Sequence, residues 1–285
     1  MHAHESKALQ WARHGMIYVL LTVGGIVMIF PLIWTFSTSL KPLEQVTVTQ
    51  INLIPDPIKW TNYVDIFSQV RLTRYVGNTL ITVAASLFGG LVTCSLAGFA
   101  FARLKFPGRD TLFIVLLATM MLPYVVQLIP LFIMFDSLGM VGTFWPLVIP
   151  RLLGHNAFYI FLLRQFYKGL PAELFDAARI DGCSEIGVWW RIAMPNSKPV
   201  LAAVAIFSFQ FAWNDFLNPL IYLGPNPDLW TLALALNALK GGEGQMVEMN
   251  MLMVLTMFMI LPMLLMFAFG QKYMVRGVTL SGVKG

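Results

Sequence analysis

The stretch Glu173-Leu174-Phe175-Asp176-Ala177-Ala178-Arg179-Ile180-Asp181-Gly182-Cys183-Ser184-Glu185 opens the longest charged passage of an otherwise overwhelmingly apolar chain, a passage that runs on through Trp189-Trp190-Arg191 to Pro195 and Pro199. Its local grammar is helix, turn, helix. Pro171 falls where a first-turn proline is tolerated, because its missing N–H would lack an intrahelical partner there anyway. Asp176 to Ile180 is a helical run around alanine, the best helix former. Gly182 can take the left-handed conformation that ends a helix. A second helical run follows through Trp190, and Pro195 and Pro199 close the segment before the next hydrophobic stretch.

Around this passage the solvent is lipid. The 285 residues are 58% hydrophobic and only 12% charged, with a mean hydropathy of +0.72, whereas soluble domains carry about a quarter charged residues. The pattern predicts an all-α polytopic membrane protein with six transmembrane helices, each near the roughly 20 residues a bilayer requires. The spans fall at about 16–39, 77–102, 111–132, 144–163, 200–222 and 251–269, within a membrane domain of residues 16–272. Residues 1–15 and 273–285 form polar tails, and 164–199 is the charged loop. The first apolar run is too long for a cleavable signal and lacks a small-residue cleavage site, so it reads as an uncleaved anchor. Residues 40–76 form a polar connection with a short amphipathic helix near Trp60 to Val70, and 223–250 form a second. Pro123 and Pro130 interrupt the third span and mark bends. Gly89, Gly90, Cys94 and Gly98 in the second span are small enough to let a neighbouring helix approach closely.

Six spans place both termini on one side. Lys7, Arg13, Arg103, Lys105, Arg109, Arg164, Lys168, Arg179, Arg191, Lys198, Lys272, Arg276 and Lys284 lie on that side, against Lys41, Lys59, Arg71, Arg74 and Lys240 opposite. The asymmetry makes the termini and the charged loop cytoplasmic. It also accounts for the net charge of +5 without a nucleic-acid partner. Cys94 and Cys183 lie in different environments and give no disulfide framework.

Two ionisable residues remain inside the spans, where a charge costs roughly 2.5–3.5 kcal/mol on insertion scales. Arg151 lies about two turns into the fourth span from its external end, and Asp215 about two turns before the external end of the fifth. At 1.5 Å per residue both sit on the order of 10 Å below the outer surface. A shared depth allows pairing, directly or through Asn214, Asn218 or His155. Such a pair either holds two helices together or lines a solute path, since a hydroxyl-rich solute needs donors and acceptors of this kind. Arg151 snorkelling outward is the remaining option.

The charged loop resembles the EAA loop of ABC importer permeases. Asp176-Ala177-Ala178, Asp181-Gly182 and Ile192-Ala193-Met194-Pro195 fall at the intervals of that motif, with Asp176 where the family usually has glutamate. The charge is kept and the reach is shorter. Other stretches resemble the carbohydrate branch of the family, in particular the second permease of maltose-type importers. These are Asn78-Thr79, the run from Ala100 to Gly108, Ile129-Pro130-Leu131, Leu138-Gly139-Met140, the run from Phe161 to Phe166, that from Trp213 to Leu220, and the tail from Val275 to Gly285. The resemblance covers nearly the whole chain from the first span onward and implies the type I ABC importer permease fold.

It further implies a subunit of a larger machine in a bacterial or archaeal cytoplasmic (inner) membrane. A second, non-identical permease completes the translocation path, two ATPase subunits sit beneath, and an external solute-binding protein delivers a carbohydrate or related polyol. The first helix of the EAA loop is the coupling helix that seats on the ATPase, which assigns docking to Glu173, Asp176, Ala177, Ala178, Asp181 and Gly182. The tail residues Gly277, Gly282 and Lys284 would run along an ATPase interface. The chain itself would be no enzyme and hold no cofactor or metal, with ATP and Mg²⁺ on the partner ATPases.

Other classes fit less well. No lysine follows a glycine, so a Walker A loop cannot be written. His4-Glu5 lacks the second histidine of a zincin helix, and Gly182-Cys183-Ser184-Glu185-Ile186 lacks the final glycine of a nucleophile elbow. The runner-up is a self-sufficient secondary transporter or channel, which calls for paired broken helices and an inverted repeat. Neither is legible in the sequence.

Overall fold

The computed structural model describes residues 7–46, 52–240 and 248–281, and no strand occurs among them. In chain order the helices of six residues or more are α1 (Lys7–Ser39), α2 (Asn62–Gln69), α3 (Leu72–Arg103), α4 (Arg109–Thr119), α5 (Tyr124–Ser137), α6 (Trp145–Leu152), α7 (Ala157–Gly169), α8 (Ala172–Ile180), α9 (Glu185–Asn196), α10 (Lys198–Trp213), α11 (Leu217–Tyr222), α12 (Leu232–Lys240) and α13 (Met249–Ser281). Four helical stretches are long and apolar enough to cross a membrane, namely Arg13–Ser39, Leu72–Arg103, Trp145–Gly169 and Met249–Gly270. Two further pairs, α4 with α5 and α9 with α10, reach that length and apolarity only together, and they bend by 100° and 87°.

The chain divides into two compact units. One comprises Met1–Val70 with Leu239–Phe258. In it α1 is helical from Lys7, so most of the expected 1–15 tail is continuous with the first helix. The most apolar window of α1 buries none of its residues within the chain, which leaves its apolar surface to lipid or another chain. At its end the backbone turns under α2, where Asn62 Nδ2 donates to the carbonyls of Ser39 (2.8 Å) and Lys41 (3.0 Å). Asn250 Nδ2 donates to the same Lys41 carbonyl at 3.2 Å.

The other unit comprises Arg71–Ala238 with Met259–Gly285 and holds the charged loop and the Arg151–Asp215 region. Its spine is α3. A Cβ on Gly98 would stand 2.9 Å from Leu163 Cβ and 3.1 Å from Arg164 N, and one on Gly90 would stand 2.5 Å from Ser208 Oγ. A Cβ on Gly89 would fall 1.6 Å from the carbonyl oxygen of Arg151, so only glycine permits this contact. Small residues thus bring α3 against α6, α7 and α10, the role the sequence suggests for them. Gly89–Thr93, which carries the Gly89 and Gly90 contacts, forms a π-helical turn. Phe99, Leu163, Tyr167, Phe175, Val188 and Val204 make the core beside it, all essentially buried.

Three expectations change. The fourth span is interrupted after Leu152, where Gly154 takes φ +69° and α7 restarts behind Asn156, whose side chain accepts from Phe158 N and Tyr159 N. The fifth is interrupted at Asn214–Phe216 before α11. Both interruptions fall inside segments that the sequence reads as continuous helices. Finally, the 223–250 connection is not simply polar. Leu232 to Leu239 is mostly leucine and alanine, both strong helix formers, and folds as α12, with Leu232, Leu234 and Ala235 buried.

Candidate functional site

The charged loop folds as a short helix locked by its turn. Pro171 stands just outside α8 with ψ 134°, one residue earlier than a first-turn position, and Glu173 occupies the first turn, where an acidic side chain complements the helix dipole. Phe175 and Ala178 are buried in the core of the unit, while Glu173, Leu174, Asp176, Ala177 and Ile180 face outward. At the end, Gly182 takes φ +82°. Its N–H donates to Arg179 O at 3.0 Å and the Cys183 N–H to Ala178 O at 3.0 Å, the paired bonds of a Schellman cap. Ser184 then caps α9 by accepting from Gly187 N at 3.2 Å.

Arg179 ties the two helices together and was not singled out in the sequence. Its guanidinium donates to Asp176 at 3.1 Å and, as a fork, to both Glu185 oxygens at 2.9 and 3.2 Å. These bonds, chiefly those to Glu185, raise its already high pKa. Asp181 is exposed beside the turn. Of the tail residues, Gly277 lies within α13, which continues to Ser281, while Gly282 and Lys284 lie outside the described residues.

The second site forms where α6 and α10 end. Arg151 and Asp215 make a direct ion pair, with side chains 5% and 7% exposed. Arg151 also reaches the Thr82 carbonyl at 3.5 Å and lies 5.5 Å above the Phe211 ring. Asp215 Oδ1 accepts the Asn218 N–H at 3.2 Å, capping α11, and Asn218 Nδ2 sits 3.0 Å from each carboxylate oxygen. Asn218 Oδ1 in turn accepts from the Tyr124 hydroxyl. His155 lies beside the pair, its Nδ1 3.1 Å from Pro150 O. Asn214 turns elsewhere, toward Gln210 O (2.9 Å) and Met263 Sδ (3.6 Å), and takes no part.

A cleft of about 110 Å³ opens onto this chain of polar groups, with Tyr124, Gln127, Arg151, His155 and Asn218 on its wall. Tyr124 is the member that sequence reading missed. The signal was Pro123, since the bend it marks is what brings the next residue round to Asn218. Among the described residues no group of three or more His, Cys, Asp and Glu side chains is placed to hold a metal ion.

The described residues are all helical, with four to six helices apolar enough to cross a membrane, an outward-facing short helix in the charged loop and a polar cleft beside the Arg151–Asp215 pair. Residues 90–280 match the family described as binding-protein-dependent transport system inner membrane component, and the chain belongs to that family. It is 34% identical over 273 residues to the arabinooligosaccharides transport system permease protein AraQ of Halalkalibacterium halodurans, covering 93% of this chain and 96% of that one. It is 26% identical to the diacetylchitobiose uptake system permease protein NgcG of Streptomyces coelicolor over 92% of this chain and 86% of the relative. It is also 30% identical to the osmoprotective compounds uptake permease protein GgtD of Synechocystis, over 96% and 93% respectively.

Among solved structures, a chain of a bacterial ABC transporter involved in import of the acidic polysaccharide alginate superposes with a TM-score of 0.82 over 94% of this chain and 98% of that one. At 21% identity the likeness speaks for the fold. The fold is that of a type I ABC importer permease, the chain is a non-catalytic permease subunit of such an importer, and hydrolysis belongs to a separate ATPase. The secondary-transporter reading is thereby set aside.

Proposed function

We propose that this chain forms one half of the translocation path of an ATP-driven importer for a carbohydrate or related polyol, and that α8 is its coupling helix. The observation that carries the proposal is the outward face of the charged loop. Leu174 (43% exposed), Ile180 (86%) and Ile186 (67%) stand clear of the chain, interleaved with Glu173, Asp176 and Asp181. Exposed apolar side chains among carboxylates, on a helix fixed by a glycine cap and an arginine fork, suit insertion into a cleft on another protein. Closure of an ATPase pair beneath would move that helix and, with it, the unit into which Phe175 is packed.

On this reading the loop and both termini are cytoplasmic, the six spans lie in a bacterial or archaeal cytoplasmic membrane, and the exposed α1 contacts lipid and a second, non-identical permease. Two ATPase subunits bind ATP and Mg²⁺ below, with Gly277, Gly282 and Lys284 along their surface, and a solute-binding protein docks outside. Tyr124, Asn218, His155 and the Arg151–Asp215 pair offer hydroxyl-directed donors and acceptors along the path. The carbohydrate class is supported by the names of the relatives, which include oligosaccharide systems as well as one for osmoprotective compounds.

The test is the ATPase activity of the co-purified complex, with and without binding protein loaded from a panel of arabino-oligosaccharides, diacetylchitobiose and glucosylglycerol. Wild type is expected to be stimulated by one loaded protein and Gly182→Pro to lose that response. Solute movement by the purified chain alone, with no ATPase bound, would overturn the reading.

A further inference from the structure

Behind the coupling helix lies a buried hydrogen-bond node that the docking reading does not use. Ser95, on α3, is fully buried and sits between the two legs of the charged loop. From the outgoing leg, Trp189 donates its Nε1–H to Ser95 Oγ at 3.0 Å. From the incoming leg, the Tyr167 hydroxyl stands 2.6 Å from the same oxygen, and Met194 Sδ lies 3.1 Å away. Indole can only donate, so Ser95 must accept from it and keeps one proton to give to tyrosine or sulfur. Every polar atom of the node therefore has a partner.

One turn-pair further along α3, Arg103 grips the incoming leg again. It donates to the Tyr167 carbonyl at 3.1 and 2.6 Å and to the Leu170 carbonyl, and its guanidinium lies 4.1 Å over the Phe175 ring of α8. In the other direction α3 passes through its π-turn to Gly89, which rests on the Arg151 backbone. One helix thus touches the coupling loop at two points and the ion-pair site at a third. A buried polar node is not needed for stability alone, since apolar packing of equal volume serves as well, and what a satisfied network adds is a single defined arrangement.

We infer that Ser95, Tyr167 and Trp189 are positioning residues for energy coupling: they clamp both legs of the loop to α3, so that displacement of α8 reaches the Arg151–Asp215 cleft as a movement of α3 rather than being absorbed by the loop. This rests on the reading of α8 as the ATPase-contacting helix. It requires that loosening the node uncouple the machine without dismantling it.

The experiment uses the assembled importer with a reporter thiol at Gln127→Cys, on the cleft wall, in a Cys183→Ser background; Cys94 is buried. The rate of labelling by a water-soluble maleimide is measured with and without ATP and vanadate, alongside basal ATP hydrolysis. Ser95→Ala and Trp189→Phe are expected to reduce the nucleotide-driven change in labelling about threefold or more, within the range found for residues that carry coupling. Assembly and basal hydrolysis are expected to stay near wild type, and the double variant to be no worse than either single one. Val188→Ala, which trims the neighbouring core without touching a hydrogen bond, should lower thermal stability and leave the labelling change intact. A full labelling change in Ser95→Ala, or an equal loss in Val188→Ala, would overturn the inference. No nucleotide-driven change in the reporter background with the node intact would instead overturn the coupling reading beneath it.

Discussion

Replacing Arg151 by methionine keeps most of the side-chain volume and leaves Asp215 facing the gap. The carboxylate is 7% exposed, so water entering from the cleft replaces the lost guanidinium only in part. Breaking one side of a buried pair costs about 3–5 kcal/mol. Asp215 retains the backbone N–H and the side-chain amide of Asn218, which places Arg151→Met at the low end, about 3 kcal/mol. The reverse change, Asp215→Leu, leaves a guanidinium with only the Thr82 carbonyl at 3.5 Å and the Phe211 face. It belongs at the upper end, about 5 kcal/mol. With both replaced no charge is stranded, and the double variant is expected to recover most of either loss. At about 1.4 kcal/mol per factor of ten, the single changes shift the folded-to-unfolded ratio by about a hundredfold or more. Denaturation of the detergent-solubilised complex in a series of SDS fractions reads this directly, and the charge swap Arg151→Asp with Asp215→Arg gives an independent check. Two singles that unfold like wild type, or a double no better than the worse single, would refute the argument.

Three further outcomes are expected. Gly89→Ala drives a methyl into the Arg151 carbonyl at 1.6 Å; the backbones must part, and the cost is expected at the top of the usual overpacking range, about 3 kcal/mol, seen as lost assembly on size-exclusion chromatography. Phe175→Ala removes the ring that anchors α8 beside Arg103 and should cost about 3–5 kcal/mol locally; the purified complex then loses bound ATPase while the membrane spans still insert. Gly182→Ala asks an L-residue to hold φ +82°, costing roughly 1–2 kcal/mol. Hydrogen exchange at the Cys183 amide, which bonds Ala178 O across the cap, should accelerate accordingly, and unchanged exchange would show that the cap does not depend on glycine.

What the sequence disclosed and what it hid divide along a physical line. Intervals along one helix or turn are legible, which is why Asp176 to Gly182 could be read as helix and cap, and why Gly89, Gly90 and Gly98 could be read as contact points. Depth counting put Arg151 and Asp215 at one level because rise per residue is fixed. Angles between segments are another matter. Pro123 signals a bend, but 100° depends on where α5 finds its neighbours, and that angle is what adds Tyr124 to the cleft. The Arg179 fork escaped notice because its partner Glu185 lies across a turn, outside the spacings that periodicity predicts. Leu232 to Leu239 was misread since a short apolar helix buried outside the spans looks, by length alone, like a connection. The breaks at Leu153–Asn156 and Asn214–Phe216 carry no proline at the break itself, and they form where side-chain caps from Asn156 and Asp215 take over the freed backbone groups.

The π-turn at Gly89–Thr93 acts on everything beyond it as a change of phase. One extra residue in a helix of 3.6 per turn rotates the downstream side chains by about 100°. Gly89 and Gly90 therefore present to Arg151 and Ser208, while Gly98 presents to Leu163 and Ser95 and Arg103 present to the charged loop. A straight α-helix of the same composition could satisfy one set of neighbours and would turn its back on the other. The length of α3 is consequently a tuned quantity: one residue lost from the turn would leave the helix better formed and its two ends facing the wrong walls.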